Sequence, residues 1–396
     1  MDSRIARGNH ADDASEDWIR LTDPDITPSE MQAVLTALRT SRLSQGPLTE
    51  QFEAAFADYL GRTYGVAVSS GTAGLALVLR ALDIGPGDEV IASPYSWHQI
   101  AHAITLVGAQ PVFVDMDYWS GTIQADKVAA KITPRTKAIL AGNTNGHPAP
   151  WNALRELADS RGLRLIEDST EAIGSRYCGR LTGSFGDFSL FDFSQPSALV
   201  CGEGGMIVTD DPVLASELHY LRSHSLDDRF SVSVGSRVPG HSNLSDLAAS
   251  LGLAQLERLD EILAQRKVVE GYYLNHIQAF EGIKPPYLGA DVDEVHWFLY
   301  VVHLGTRFTR SARNQIVEDM ATEKVEAAAY CNPMHTQFHY GRLGFKRGDF
   351  PVTEKIADRS IALPFHGHLT DEEVMFIVST AKDSSINVGA GAAIYL

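Results

Sequence analysis

Between Tyr64 and Thr209 the chain repeats one pattern, in which short blocks of consecutive apolar residues alternate with segments whose apolar residues recur at helical spacing. YGVAVSS reads as a buried strand and GTAGLALVLRAL as a helix. DEVIASP (88–94) is a strand and HQIAHAITLVG a helix. QPVFVDMD and KAILAGN are strands, WNALRELADSRG a helix and LRLIEDS a strand. DFSLFDFS follows, and GGMIVTD continues it as a hairpin-like partner. A strand that is apolar at every position must be covered on both faces. Alternation with amphipathic helices supplies that cover and predicts a mostly parallel central sheet with helices on both faces, an α/β fold.

The flanks read differently. Helical patterns span residues 29–40 and 49–60, the second ending at Gly61. A continuous helix is expected over Leu244–Ile277. VHWFLYVVHL then reads as a strand, and SARNQIVEDMA and DEEVMFIVSTAK as helices. The expected domains are a flexible acidic tail at 1–18, a large α/β domain at 19–277 and a smaller α+β C-terminal domain at 278–396.

With 44% hydrophobic residues among 396, the chain can bury a large core. Its formal net charge of −17 argues against nucleic-acid binding through a global field. Cys178, Cys201 and Cys331 are far apart, without metal-ligand spacing, which fits a reducing compartment. No apolar leader is visible and no run of about 20 apolar residues occurs, so a cytoplasmic protein with no membrane span is expected.

Four motifs carry chemistry. In SSGTAGL (69–75), Gly71 and Thr72 sit where a strand meets a helix, and small residues there let backbone N–H groups approach an anion. The bland alternative is a plain turn with Thr72 as N-cap. LRLIEDSTEA (163–172) ends an apolar strand in Glu167-Asp168, where α/β sheets bind ligands. Asp168 could hold a protonated heterocyclic nitrogen or merely cap the next turn. In PYSWHQIA (94–101), Trp97 could stack on a flat ring or fill the core. FDFSQPSALVCGEGG (191–205) ends in a glycine turn that permits close backbone approach.

Taken in this order and spacing, the motifs resemble the DegT/DnrJ/EryC1/StrS family of sugar aminotransferases, which use pyridoxal phosphate (PLP). The resemblance runs from about Asp23 to about Ala381 and includes ALDIGPGDEVIASPYSW, IEDSTEAIGSRYCGRLTGSFGDFS, GEGGMIVTD, NPMHTQF and IALPFHGHLT. It implies a fold type I aminotransferase and a homodimer with active sites at the subunit interface. By that resemblance Gly71 and Thr72 match backbone donors to the cofactor phosphate, Trp97 the aromatic stacked on the pyridine ring and Asp168 the carboxylate paired with the ring nitrogen. Asn243 matches a residue lent to the phosphate site by the neighbouring subunit.

Three positions depart from the family pattern. The Schiff-base lysine is expected six residues before Glu203, where this chain has Ser197. A serine hydroxyl forms no imine and is a poor base near neutrality. Asp192 replaces a phosphate-binding serine, and a carboxylate about 4 Å from a phosphate costs about 4 kcal/mol per pair of unit charges at an effective dielectric near 20. Asp192 would escape that cost by pointing away, by protonation or by pairing with Arg222. Glu171 stands where the family mostly has Gln or His facing the ring hydroxyl, although glutamate also occurs in lysine-free dehydratase relatives. Neither Lys137 nor Lys267 is placed to substitute for the missing lysine.

Two functions follow. In the first, PLP or pyridoxamine phosphate (PMP) is held non-covalently for dehydration or related chemistry on a sugar or cyclitol-like intermediate, with a histidine such as His98, His147, His219 or His224 as base. In the second, the fold is kept without PLP chemistry, and Asp168, Glu171 and Asp192 form an acidic pocket in a PLP-independent enzyme, a sugar-nucleotide binder or a partner of an active homologue. The stretch 221–243 is expected beside the site, where it would shape substrate choice.

Overall fold

The computed structural model describes residues 18–223, 237–277, 283–284, 286–289 and 291–393. The N-terminal tail up to residue 17, His224 and most of the 221–243 stretch therefore lie outside the described residues.

The predicted alternation forms one seven-stranded sheet. Its strands are β1 (Tyr64–Val68), β2 (Glu89–Ala92), β3 (Gln110–Phe113), β4 (Thr136–Gly142), β5 (Arg164–Asp168), β8 (Phe188–Asp192) and β9 (Gly205–Thr209), in the order β1-β9-β8-β5-β4-β2-β3. Between them, β6 (Arg176–Tyr177) and β7 (Arg180–Leu181) form a small separate hairpin. Neighbours from β3 to β8 pair in parallel, and β9 alone runs against β8 and β1. β1 therefore points the same way as β8. The carboxyl ends of six strands share one edge, and every motif singled out in the sequence follows one of those ends.

Helices α1 (Pro28–Leu38), α2 (Pro47–Tyr59), α3 (Gly71–Ala81), α4 (His102–Leu106), α5 (Ala125–Ala129), α6 (Trp151–Arg161) and α7 (Pro212–Arg222) fill in around the strands. Separate apolar clusters cover the two faces. One gathers Leu75, Val78 and Leu79 of α3 with Ile166, Leu190 and Ile207 of the sheet. Another gathers Phe52 and Phe56 of α2 with Phe191, Phe193 and Met206. Side chains alternate across a strand, so consecutive residues of β8 feed opposite clusters. The smaller C-terminal sheet has the order β10-β12-β14-β13, from β10 (Ile283–Lys284), β12 (Tyr300–Leu304), β13 (Ala328–Ala329) and β14 (Ser360–Leu363). β11 (Val292–Glu294) instead pairs with β6 of the large domain.

Three expectations need correction. The helix expected from His98 is confined to α4, because residues 98–101 turn and Gln99 has a φ of 50°. The helix expected over 244–277 is two, Asp246–Glu257 and Leu259–Ile277, broken at Arg258. Arg258 there reaches Asp25 and Glu30, each at 2.7 Å, and so ties the break to α1. In VHWFLYVVHL only Tyr300–Leu304 is strand. Ahead of it Phe298 and Leu299 turn their backbone N–H groups to Asn145 rather than to a ladder.

Gly205 is where β9 presses on the start of α3. A Cβ there would lie 2.7 Å from the Gly71 nitrogen, the Ser70 carbonyl carbon and the Phe191 oxygen, all of them backbone atoms. Gly205→Ala is expected to lower unfolding free energy by about 1–3 kcal/mol. Gly271→Ala, on a helix with nothing within 4 Å of the new methyl, should raise it by up to about 1 kcal/mol. Urea midpoints of the two variants against the parent check both signs.

Candidate functional site

The carboxyl edge of the sheet gathers the sequence-predicted residues. α3 begins directly after β1, and Ser70 rather than Thr72 is its N-cap, accepting the Ala73 N–H at 3.2 Å. Gly71 and Thr72 are thus the first two helical residues, with N–H groups at the positive end of the helix dipole.

The Gly71 N–H is taken. It donates to Asp192 Oδ2 at 2.8 Å, while Asp192 Oδ1 accepts the Ser194 N–H at 3.0 Å and the Ser194 hydroxyl at 2.6 Å. Asp192 ends β8 and is 6% exposed. Of the escapes open to it, pairing with Arg222 is not used: Arg222 bonds Glu53 and the Ala67 carbonyl. Asp192 does not point away either; it caps the cradle.

Asp168, at the end of the neighbouring β5, is buried and accepts the Thr170 backbone N–H at 3.1 Å. Among the described residues no cation pairs with it. Burial pushes its carboxyl up to about 7, hydrogen bonding from Thr170 offsets part of this, and the Glu171 and Asp192 carboxylates add to it. A buried carboxylate that lacks a partner is a place for a cation.

Glu171 is held from four directions. Oε1 accepts the Trp97 N–H at 2.7 Å and the Ser96 hydroxyl at 3.1 Å. Oε2 accepts the Asn145 N–H at 2.7 Å and the Tyr330 hydroxyl. The carboxylate thereby ties the loop after β2, the loop after β4 and the C-terminal domain to one point. Trp97, partly buried, lies 6.0 Å from the Tyr330 ring and 6.2 Å from Phe298, centroid to centroid. Asn145 and Tyr330 escaped sequence reasoning. NTNGHPAP carries a turn signal at Asn145, which has a φ of 51°, but no local signal marks Tyr330.

Ser197 is 7% exposed, and its Oγ has no hydrogen-bond partner. Its N–H donates to the Ser194 carbonyl at 3.2 Å. Asn243 forms an isolated bridge with Val68 of its own chain; its Nδ2 donates to Ser223 Oγ at 2.9 Å and its Oδ1 is buried without a partner. Among the described histidines, both ring nitrogens of His147 are engaged, by the Pro148 carbonyl and the Gly289 N–H, and burial lowers its pKa. His219 sits with Arg222 and Glu53, and burial lowers its pKa too. His98 packs edge-on against Phe298, and its Nε2 is buried and unpartnered. Lys137 and Lys267 face Asp88 and Glu270, at 3.9 and 2.7 Å.

This arrangement on a sheet of this order defines an aminotransferase fold, and comparison with known proteins agrees. The DegT/DnrJ/EryC1/StrS aminotransferase family model matches residues 24–382, and the chain belongs to that family. It is 35% identical over 372 residues to the spore coat polysaccharide biosynthesis protein SpsC of Bacillus subtilis, covering 91% of this chain and 95% of SpsC. It is 34% identical to the GDP-perosamine synthase of Caulobacter vibrioides, over 91% of this chain and 96% of that one. Among solved structures, the aminotransferase TlmJ of Streptoalloteichus hindustanus superposes with a TM-score of 0.85 at 31% identity, over 94% of this chain and 100% of TlmJ. Spr1654 of Streptococcus pneumoniae, described as a sugar aminotransferase, superposes in its PMP form with a TM-score of 0.89 at 28% identity, over 95% of this chain and 100% of that one. It has also been solved in a PLP form. Among the described residues no helix is long and apolar enough to cross a membrane.

Against such a group the residues here divide. The ring end fits: Asp168 is an unpaired buried carboxylate, and the Ser197 hydroxyl is a buried polar group without a partner. The phosphate end does not, because the Gly71 donor already holds Asp192.

The raised Asp168 pKa gives a test. In the folded chain the group keeps its proton between its ordinary value of 3.8 and about 7, so folding takes up a proton in that window. Its contribution to stability is full below the window, declines as pH rises through it and is lost above about 7. At most this amounts to about 4 kcal/mol. The unfolding free energy of the parent minus that of Asp168→Asn should fall between pH 4 and 7 and level off above; chemical denaturation across that range measures it.

Proposed function

We propose that this chain is a lysine-free member of its family that acts on a sugar or cyclitol-like biosynthetic intermediate, with a PLP-type cofactor, PLP or PMP, held without a covalent link. Its chemistry would be dehydration or a related step rather than ordinary transamination. The observation that carries the reading is Asp168, buried at the carboxyl end of β5 with no cation of its own. The names of SpsC and GDP-perosamine synthase support the sugar class.

When bound, such a group supplies an electron sink for a carbanion beside the sugar carbon that reacts. The chain's own residues hold and orient. Asp168 would hold the group by pairing with its ring nitrogen, and Trp97 would pack against its ring. Glu171 is a positioning residue that sets Trp97 through its backbone N–H. Ser197 provides neither an amine for a covalent link nor a base. Proton transfer falls to His98, whose Nε2 is the one buried ring nitrogen without a hydrogen-bond partner among the three described histidines weighed from the sequence. We also infer a homodimer in the cytoplasm. The unpartnered Asn243 Oδ1 supports a role for Asn243 across an interface, and light scattering should give twice the chain mass.

Titrating the purified full-length chain with PLP and PMP while recording near-ultraviolet and visible absorbance tests the main reading. A bound chromophore that exchanges freely on dialysis is expected, and no change even at high cofactor concentration would sink it. Asp192 on the cradle favours a second reading, in which the fold persists without PLP chemistry. Under that reading only Ser197→Lys combined with Asp192→Ser would gain PLP absorbance, the parent having none.

A further inference from the structure

We propose that Asp192 is a built-in anion that occupies the phosphate cradle and turns the pocket's preference away from phosphorylated pyridines, towards a ligand of the pyridoxamine class bearing a free hydroxymethyl group. The inference rests on the reading of the ring end given above and concerns only the opposite end of the pocket.

Three donors converge on the Asp192 carboxylate: the Gly71 N–H at 2.8 Å and the Ser194 N–H and hydroxyl at 3.0 and 2.6 Å. The side chain is 6% exposed and lies flat against the helix start, since a Cβ on Gly71 would stand 3.1 Å from Asp192 Cβ and 3.3 Å from Oδ2. This carboxylate is therefore fixed in the anion position itself. The N–H that would face a phosphate oxygen already faces a carboxylate oxygen, and the two anions cannot share it. A phosphate entering beside the carboxylate meets like charge in a buried site, where screening by solvent and salt is weakest.

A hydroxymethyl group differs in kind. Its O–H donates, and Asp192 Oδ2, which among the described residues accepts the Gly71 N–H alone, has a second lone pair with which to accept. It carries no charge, so it leaves the Gly71 and Ser194 bonds in place. At the other end Asp168 and Trp97 serve a protonated pyridine whether or not a phosphate is attached. The Ser197 Oγ, buried and without a hydrogen-bond partner among the described residues, supplies one more polar atom to the pocket. The pocket thus keeps what recognises the ring and reverses the sign of what recognises the tail.

The test is equilibrium binding of pyridoxamine and of PMP to the full-length chain, followed by calorimetry and by quenching of tryptophan fluorescence. The same titrations are run on Asp192→Asn, which removes the charge while keeping the shape and an acceptor for Gly71. Circular dichroism confirms the fold of the variant. The parent should bind pyridoxamine at least 10-fold more tightly than PMP. Asp192→Asn should tighten PMP at least 30-fold and so reverse the order of the two affinities. Parent binding of PMP as tight as that of pyridoxamine, or a PMP affinity indifferent to Asp192→Asn, overturns the inference and leaves the proposed function standing. Failure of both ligands to bind either protein overturns both.

Discussion

Glu167 fixes the centre of this molecule. It is fully buried, and its two oxygens accept from the Asn143 amide, the Ser169 and Ser189 hydroxyls and the Gly183, Phe185 and Gly186 N–H groups. A carboxylate placed in the interior is tolerable only when its lone pairs are filled, and here they are. The bonds reach β4, β8 and the turn after β7, so the end of β5 cannot shift without breaking several of them. Because side chains alternate along a strand, pinning Glu167 to one face sends Asp168 to the other. The site carboxylate inherits its position from a structural one.

Four buried carboxylates on one edge thus do three different jobs. Glu167 and Glu171 are saturated by donors and act as ties. Asp192 is held by three donors and stands where an anion would sit. Asp168 has a single backbone donor and a pKa pushed up to about 7. Residue type alone does not separate these roles; the number and identity of donors does. A pocket described only as acidic would miss that one of its carboxylates is waiting for a partner and another already has its own.

The sheet was legible in the sequence because its strands are apolar on both faces and its helices carry a single apolar face, so each block announces its own period. The boundaries that failed have tertiary causes. The helix over 244–277 looks continuous by periodicity, but Arg258 is drawn to Asp25 and Glu30. VHWFL has strand composition, yet Asn145 takes the backbone N–H groups of Phe298 and Leu299. In SSGTAGL the bland reading caps the helix at Thr72, whereas Ser70 is the cap and the helix starts at Gly71, as GTAGLALVLRAL reads. In the site, Gly71, Trp97, Asp168 and Asp192 could be found because each follows a strand end. Tyr330 could not, since it comes from another sheet and meets Glu171 only through the packing of the two domains.

By the family resemblance Ser197 and Asp192 both stand where other residues are expected, yet physically they are opposites. A serine where the family resemblance expects a lysine removes a group: it leaves a small hydroxyl, buried and, among the described residues, without a hydrogen-bond partner. An aspartate where the resemblance expects a serine adds one: the carboxylate accepts the Gly71 N–H and both donors of Ser194. A pocket merely released from its chemistry would be expected to gather losses of the first kind. A charge that is buried and held by three donors at the point where the resemblance puts a phosphate is a different sort of change. It argues that this edge of the sheet still recognises a ligand, and that the ligand's tail is what has changed.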